Sequence, residues 1–174
     1  VTAAETLPFQ SEEVASIELG VRLNPTDSSQ INVTYFNAEY TDKQVVVVVP
    51  ASDSMCHKEQ NEAGNVTCSF VGNAAEATMS GVEFEGVLMP SDALTLRLNF
   101  GTLDSEYDNY DYDGVDISSK ARILYSPKFT GYFGAEHTSD RAGGTLTLNL
   151  GFSHKGEVET QADWSKYNPA TGPV

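Results

Sequence analysis

Residues 94–100 (LTLRLNF) decide the fold, because large apolar residues occupy every second position. In an extended chain successive side chains point to opposite faces. The three leucines and the phenylalanine therefore share one face, while Thr95, Arg97 and Asn99 share the other. Residues 146–152 (LTLNLGF) repeat this pattern. Both segments are predicted to be β-strands with one apolar face and one wet face.

The same alternation predicts four more strands. It is clear in residues 17–23 and 82–88, and weaker in two segments rich in β-branched and aromatic residues, 30–48 and 120–138. Within the segment 30–48 the alternation changes phase, which predicts either a β-bulge or a change from membrane to loop near Phe36. No segment carries a sustained helical stripe, so we expect an all-β chain with about six long strands.

The links between these strands alternate in length. Short links are expected at 24–29, 90–93 and 139–144, and long polar links at 50–65, 103–119 and from 159 onward. Outer-membrane barrels combine short periplasmic turns with long extracellular loops. The pattern therefore favours a segment of an antiparallel, up-and-down transmembrane β-barrel. The alternative is a secreted, soluble β-sandwich that acts as an adhesive or carbohydrate-binding module, since such a fold also shows a period of two.

Composition excludes two classes of protein. Ten basic residues against 25 acidic ones give a formal net charge of -15, which would repel nucleic-acid phosphates. The longest apolar run, residues 45–49, is far shorter than the roughly 18 residues of a transmembrane helix. The chain also begins without a signal peptide, and we expect it to be mature, trimmed or a fragment.

Several short motifs resemble the middle-to-late barrel of TonB-dependent outer-membrane receptors. They occur in the expected order and spacing between Glu12 and His154. The matching residues are Glu18-Leu19-Gly20-Val21-Arg22, the segment from Phe36 to Tyr40-Thr41-Asp42-Lys43-Gln44, Asn73-Ala74 with Ala77, Gly81-Val82-Glu83, and Ser126-Pro127-Lys128.

The resemblance implies a fold and a role. Residues 1–174 would form part of a barrel of about 22 strands with a plugged lumen, without the plug domain and without the terminal aromatic strand. The parent protein would lie in the bacterial outer membrane, in contact with its lipid, and would contact the TonB complex through the plug region. It would import a scarce small nutrient, such as a siderophore, cobalamin, an oligosaccharide or a metal complex. Glu83 and Glu85 would face the lumen, within reach of the plug.

An acidic segment rich in tyrosine, residues 104–116, supplies the candidate ligand-binding residues. Aromatic rings can stack on sugars, catecholates or corrinoid rings, and neighbouring carboxylates favour a cationic or metal-bearing ligand. The candidates are Tyr107, Tyr110, Asp111, Tyr112 and Asp113. Part of the segment matches the first half of a calcium-binding EF-hand loop, but Lys120 stands where a bidentate Glu is needed. We therefore predict a solvated acidic loop and no metal site.

The two cysteines, Cys56 and Cys68, lie in the long polar link after residues 45–49. They are the only cysteines of the chain, and this spacing is typical of a loop disulfide in an oxidising compartment. We predict that they form a disulfide. The three histidines lie on separate segments without a nucleophile motif, and no phosphate-binding glycine loop occurs. We therefore expect no catalytic residues and no cofactor.

Overall fold

In a computed structural model, the described residues are 9–50, 67–112 and 115–160. Across these ranges the chain forms seven strands in one antiparallel sheet. Six are long: β1 (Glu13–Thr26), β2 (Ser29–Pro50), β3 (Thr67–Ser91), β4 (Leu94–Tyr112), β6 (Phe129–Arg141) and β7 (Gly144–Lys155). The short strand β5 (Val115–Asp116) pairs only with β4. No helix long and apolar enough to cross a membrane occurs in the described ranges.

Each long strand pairs with the next long strand along the chain, in the order β1-β2-β3-β4-β6-β7. This up-and-down topology confirms the predicted fold class. All three short links are tight turns, at Asp27–Ser28, Asp92–Ala93 and Ala142–Gly143. The third turn requires glycine, because Gly143 has a φ of +104° and Gly144 a φ of +155°. The described residues form one sheet and not two packed sheets, so the sandwich alternative is wrong.

The strand register assigns the side chains to two faces. Directly paired residues point to the same side of a sheet. One row runs Leu23, Ile31, Gly86, Leu98, Phe133 and Phe152, and the next row runs Val21, Val33, Phe84, Phe100, Gly131 and His154. This mainly apolar side is termed the outer face. Many of its large side chains are exposed, and Leu19 at 68% and Phe152 at 66% are examples.

The opposite side, termed the inner face, is polar. One of its rows runs Arg22, Asn32, Glu85, Asn99, Tyr132 and Ser153. A one-residue slip in register would exchange the two faces, so the separation of apolar and polar residues is what fixes the register.

The strands extend beyond what a membrane requires. β3 has 25 residues and β2 has 22, whereas a tilted strand crosses a bilayer in about 9–11 residues. We term the regular portion next to the tight turns the wall: residues 16–23, 29–37, 80–88, 94–104, 129–141 and 144–155. The upper part comprises residues 9–15, 38–46, 71–79, 105–112 and 115–121. All six buried hydrophobic residues of the described ranges lie in the upper part: Val45, Ala75, Ala77, Tyr110, Ile117 and Ala121.

Three predictions about the strands were wrong in detail. The register passes through Phe36 without interruption, and the irregularity of β2 lies instead between Tyr40 and Gln44. There Asp42 adopts a φ of 51°, a conformation that Asp tolerates better than most residues. The strand expected at 120–138 begins only at Phe129, because residues 117–121 turn back over β4. The loop expected at 103–119 is strand as far as Tyr112, paired first with β3 and then with β5.

Candidate functional site

Polar side chains on the inner face of the wall form a ladder across three strands. The Nε of Arg22 donates to Oδ1 of Asn32 at 3.0 Å. The Nδ2 of Asn32 in turn donates to Oε2 of Glu85 at 3.1 Å. By strand register the row continues through Asn99 to Tyr132. The inner face therefore offers hydrogen-bonding groups to water or to another protein surface, and it could not face lipid without leaving them unsatisfied.

A cleft of about 290 Å³ opens in the same wall beside this ladder. Its base is Gly101, where an added Cβ would lie 3.4 Å from Oγ1 of Thr130. Glu83 pairs with Gly101 in the register, and Glu85 pairs with Asn99 in the adjacent row. Two carboxylates thus stand on one side of a recess that a glycine keeps open. The arrangement suits a basic side chain.

Higher on the same face, a β-bulge brings two tyrosines together. Tyr107 pairs with Ala77 and Tyr110 with Ala75, while the register shifts between them. Asp108 is the extra residue of this bulge, so both tyrosines point to the inner face although they are three residues apart. Their ring centroids are 4.9 Å apart, with the planes tilted by 58°. This is a favourable geometry for two aromatic rings.

Tyr110 belongs to a small core of its own. Its side chain is only 5% exposed, as is that of Ala75 beside it. Ile117, 4% exposed, donates its backbone N–H to the carbonyl of Tyr110 at 2.9 Å. The carbonyl of Ile117 then accepts from the N–H of Ala121, also at 2.9 Å. The turn at 117–121 is thereby folded against β4, and Tyr110 anchors it.

Asp116 holds this turn by accepting three hydrogen bonds. Its carboxylate accepts from the backbone N–H of Ser118 at 2.9 Å, from the backbone N–H of Tyr110 at 3.1 Å, and from the hydroxyl of Ser118 at 3.2 Å. These donors favour the charged form. The N–H of Ser118, followed by that of Tyr110, therefore lowers the pKa of Asp116 below its ordinary value of 3.8. This carboxylate lies at the surface beside the predicted ligand-binding residues.

The structure brings several of those predicted residues together. The rings of Tyr107 and Tyr110 are in contact at a tilted angle, and Asp111 lies on β4, paired with Asp116 of β5. Tyr112 pairs with Val115 through its backbone, whereas the side chain of Tyr112 and all of Asp113 lie outside what the structure describes. The partial EF-hand match falls on this hairpin and not on a loop between helices. No group of three or more metal-binding side chains occurs in the described part of the chain.

The predicted disulfide cannot be placed in the same way. Cys56 lies outside the described residues. Cys68 is placed only by its backbone, which pairs with Val49 near the upper end of β3.

Sequence reasoning missed a clamp around Asn73. Its Oδ1 accepts from the backbone N–H of Gln10 at 2.6 Å, and its Nδ2 donates to the carbonyl of Gln10 at 2.9 Å. The same Nδ2 donates to the carbonyl of Asp42 at 2.6 Å. One carboxamide thus joins the segment before β1 to the irregular point of β2. The sequence does contain both halves of this contact, in the motif that ends at Gln44 and in the motif that contains Asn73. Neither motif by itself shows that the two segments touch.

Four further contacts, made by Gln44 and Lys43, strengthen the clamp. The Nε2 of Gln44 donates to the carbonyl of Gln10 at 3.1 Å, and the backbone N–H of Gln44 donates to Oε2 of Glu12 at 2.9 Å. Lys43 lies 3.8 Å from Oε1 of Glu12, and its ammonium sits 4.7 Å from the centre of the Tyr40 ring. The polar residues of this motif therefore hold the top of β1 against β2 and β3.

Together, an antiparallel up-and-down sheet with an exposed apolar face and a hydrogen-bonded polar face defines the wall of a transmembrane-type β-barrel. Comparison with known proteins gives the same answer. A profile of the family described as "TonB dependent receptor-like, beta-barrel" matches residues 2–172. The chain belongs to this family of receptors.

Among solved structures, the ferric yersiniabactin uptake receptor FyuA from Yersinia pestis is similar in fold. The match has a TM-score of 0.62 at 20% sequence identity, and it covers 86% of this chain and 19% of that receptor. The chain thus spans about a fifth of the length of the receptor that it resembles. No curated protein matches the chain.

Proposed function

We propose that this chain forms part of the wall and mouth of an outer-membrane receptor that imports a scarce nutrient under the control of TonB. The segregation of side chains supports the proposal. In the wall, six long strands in continuous register present an apolar outer face and a hydrogen-bonded polar inner face. A lipid-facing barrel around a polar lumen requires this arrangement. The tight turns would lie in the periplasm and the upper part outside the cell.

The inner face of the wall would contact a plug domain. The cleft beside Gly101, with Glu83 and Glu85 at one side, is shaped and charged for a basic side chain. A plug held through such contacts can seal the lumen at rest and move when TonB pulls on it. Wall carboxylates would then serve as one half of that interface.

The upper part would receive the nutrient. Tyr107 lies beside the anchored Tyr110 on the inner face, and Asp111, Tyr112 and Asp113 follow at the end of β4 and just beyond it. Fixed aromatic rings offer contact area at low entropic cost. Neighbouring carboxylates favour a cationic or metal-bearing nutrient over a free anion. The siderophore, cobalamin, oligosaccharide and metal-complex classes all share this wall, and growth assays can distinguish among them.

The test is growth of cells that lack the parent receptor and carry it on a plasmid, with iron, cobalamin or a single oligosaccharide limiting. We expect the receptor to restore growth on one of these nutrients in cells with TonB but not in cells without it. Tyr107→Ala should weaken capture of that nutrient. Tyr35→Ala is the matched control, because Tyr35 lies on the outer face of the wall and is 46% exposed.

Two results would contradict the proposal. One is a parent protein that is monomeric and soluble without detergent. The other is growth that depends equally on the receptor with and without TonB.

A further inference from the structure

The outer face of the wall contains an apolar groove of about 440 Å³ that the proposed transport role does not use. Gly86 contributes no side chain to the row between Ile31 and Leu98, and the ring of Phe84 leans over it from the next row. Leu88, Leu96 and Phe133 are among the other residues that line the groove. Both Leu88 and Leu98 are more than two-fifths exposed, at 44% and 46%. The wall is therefore recessed here, whereas the outer face of β1 presents an unbroken row of large side chains.

One end of the groove is closed by an aromatic side chain. An added Cβ on Gly86 would lie 3.0 Å from Cε1 of Phe84, so the phenyl ring stands over the glycine. That ring stacks on Phe100, with centroids 4.8 Å apart and planes within 10°. From this end the groove runs to Pro25 and Ser29, beside the first tight turn. Its mainly carbon-lined walls suit an acyl chain, which gains dispersion contacts in a recess that it lacks on a flat surface.

The turns at the other end of the groove carry negative charge. The backbone N–H of Met89 donates to the carbonyl of Ser28 at 2.8 Å, which joins the first turn to the end of β3. Residues 24–30 and 89–93 contain two carboxylates, Asp27 and Asp92, and no lysine or arginine. The third turn differs because it contains Arg141. Arg97 also lines the groove, but by register its side chain belongs to the inner face. A headgroup on the outer side of the first two turns therefore meets two carboxylates, which favours an ammonium group and disfavours an anionic headgroup.

We infer that the groove is a binding site for one diacyl phospholipid with an amine headgroup, in the leaflet next to the tight turns. The acyl chain lies along Ile31, Leu88 and Leu98 and ends against the ring of Phe84, and the ammonium group lies near Asp27 and Asp92. Hydroxyls of Thr26, Ser28 and Ser29 cluster in the same turn, with Thr26 Oγ1 2.8 Å from Ser29 Oγ, and they are available to the phosphate. This inference rests on the proposed placement of the wall in the outer membrane.

Native mass spectrometry of the detergent-purified parent receptor tests the site with dioleoyl phosphatidylethanolamine and dioleoyl phosphatidylglycerol as probes. We expect one phosphatidylethanolamine to be retained, about tenfold more than phosphatidylglycerol, a ratio that corresponds to about 1.4 kcal/mol. Leu88→Trp fills the groove and should abolish this retention while leaving nutrient uptake unchanged. Leu148→Trp is the matched control, because Leu148 is an exposed outer-face leucine away from the groove, and it should retain the lipid.

The headgroup is tested separately. Asp27→Asn with Asp92→Asn should remove the preference for phosphatidylethanolamine, and Asp140→Asn at the third turn should not. Equal retention by Leu88→Trp and Leu148→Trp would overturn the site, as would equal retention of the two lipids by the wild-type receptor. Either result would overturn the lipid site alone, because the protein would still be a membrane receptor with intact nutrient uptake. A parent protein that needs no detergent would instead overturn the membrane placement and the lipid site together.

Discussion

The wall and the upper part of this sheet belong to the same strands but are stabilised in different ways. In the wall the register is continuous between the tight turns, and large apolar side chains such as Leu19 and Phe152 remain exposed. In the upper part the register shifts at the Asp42 region of β2 and again near Ala77 of β3. There the chain buries its own side chains, including Ala77 at 0% and Tyr110 at 5% exposure.

The difference shows which solvent each part is built for. Lipid can cover an apolar face, so the wall needs only backbone ladders and an unbroken alternation of side chains. Water cannot cover an apolar face at low cost, so strands that leave the membrane must pack their apolar residues inward and against one another. The bulges make this possible, since each one rotates the following residues relative to the sheet. Substitutions should therefore have opposite consequences in the two parts.

The largest expected effect is a charge on the outer face of the wall. Leu98→Arg should destabilise the reconstituted parent barrel by about 2–4 kcal/mol if the residue lies near the bilayer midplane. Asn99→Arg, one position along the same strand, should cost much less because its side chain faces the polar inner side. Chemical unfolding of both variants in lipid vesicles measures the contrast. Equal costs would mean that the two faces have been exchanged.

Reduction of the predicted Cys56–Cys68 disulfide ranks next. Closing a loop of this size stabilises a chain by about 3 kcal/mol in the chain-entropy model. The effect should be confined to the upper part, because the wall is held by its own ladders. After reduction, hydrogen exchange should be faster around the upper ends of β2 and β3. The exchange rates in β6 and β7 should not change. Non-reducing peptide mapping that finds both thiols free would refute the bond itself.

The same substitution, Ala→Leu, should have different effects on stability in the upper part and in the wall. Ala77→Leu adds volume where the side chain has no exposed surface, and it should cost about 1–3 kcal/mol of local stability. Ala135→Leu places the same extra volume on the outer face of the wall, in the row of Leu96 and Leu150. Lipid can accommodate it, so that variant should be close to neutral. A comparable loss of stability in both variants would mean that the outer face near Ala135 is covered by protein.

Sequence periodicity predicts the wall well because the wall obeys one rule throughout. In segments such as 94–100 each residue alternates between lipid and water, and the three turns follow from Pro, Gly and Asp near the strand ends. The upper part does not follow this rule, so periodicity predicts it poorly. The change of phase after Tyr35 points to Phe36, whereas the bulge lies several residues further on at Asp42, where Asn73 binds the backbone.

The candidate ligand-binding residues show what a pattern of residue types leaves open. Composition places Tyr107, Tyr110 and Asp111 in one polar segment, but it does not show that they lie on a strand. Only the bulge at Asp108 aligns the two tyrosines, and only the turn after Asp116 buries one of them. These are contacts between distant or irregular residues, and local periodicity carries no information about them.

The smallest effect concerns the Asp116 carboxylate, and it tests whether the upper part is held by discrete polar contacts. Because backbone donors lower the pKa of Asp116 in the folded chain, its contribution to stability is present above the ordinary value of 3.8. That contribution is lost as the pH falls through the lower, folded value. The turn at 117–121 should thus loosen below about pH 4, while the wall at 94–104 is unaffected.

Asp116→Asn should abolish this pH dependence, since an amide does not titrate, and should loosen the turn already at neutral pH because it accepts fewer hydrogen bonds than a carboxylate. The measurement is hydrogen-exchange protection of Tyr110, Ser118 and Ala121, corrected for intrinsic exchange, between pH 3 and 7. Asp111→Asn, on the paired strand of the same hairpin, controls for the general loss of negative charge. If wild type and Asp116→Asn lose protection in parallel as the pH falls, the turn depends on packing around Tyr110 and Ile117, and the carboxylate is incidental to it.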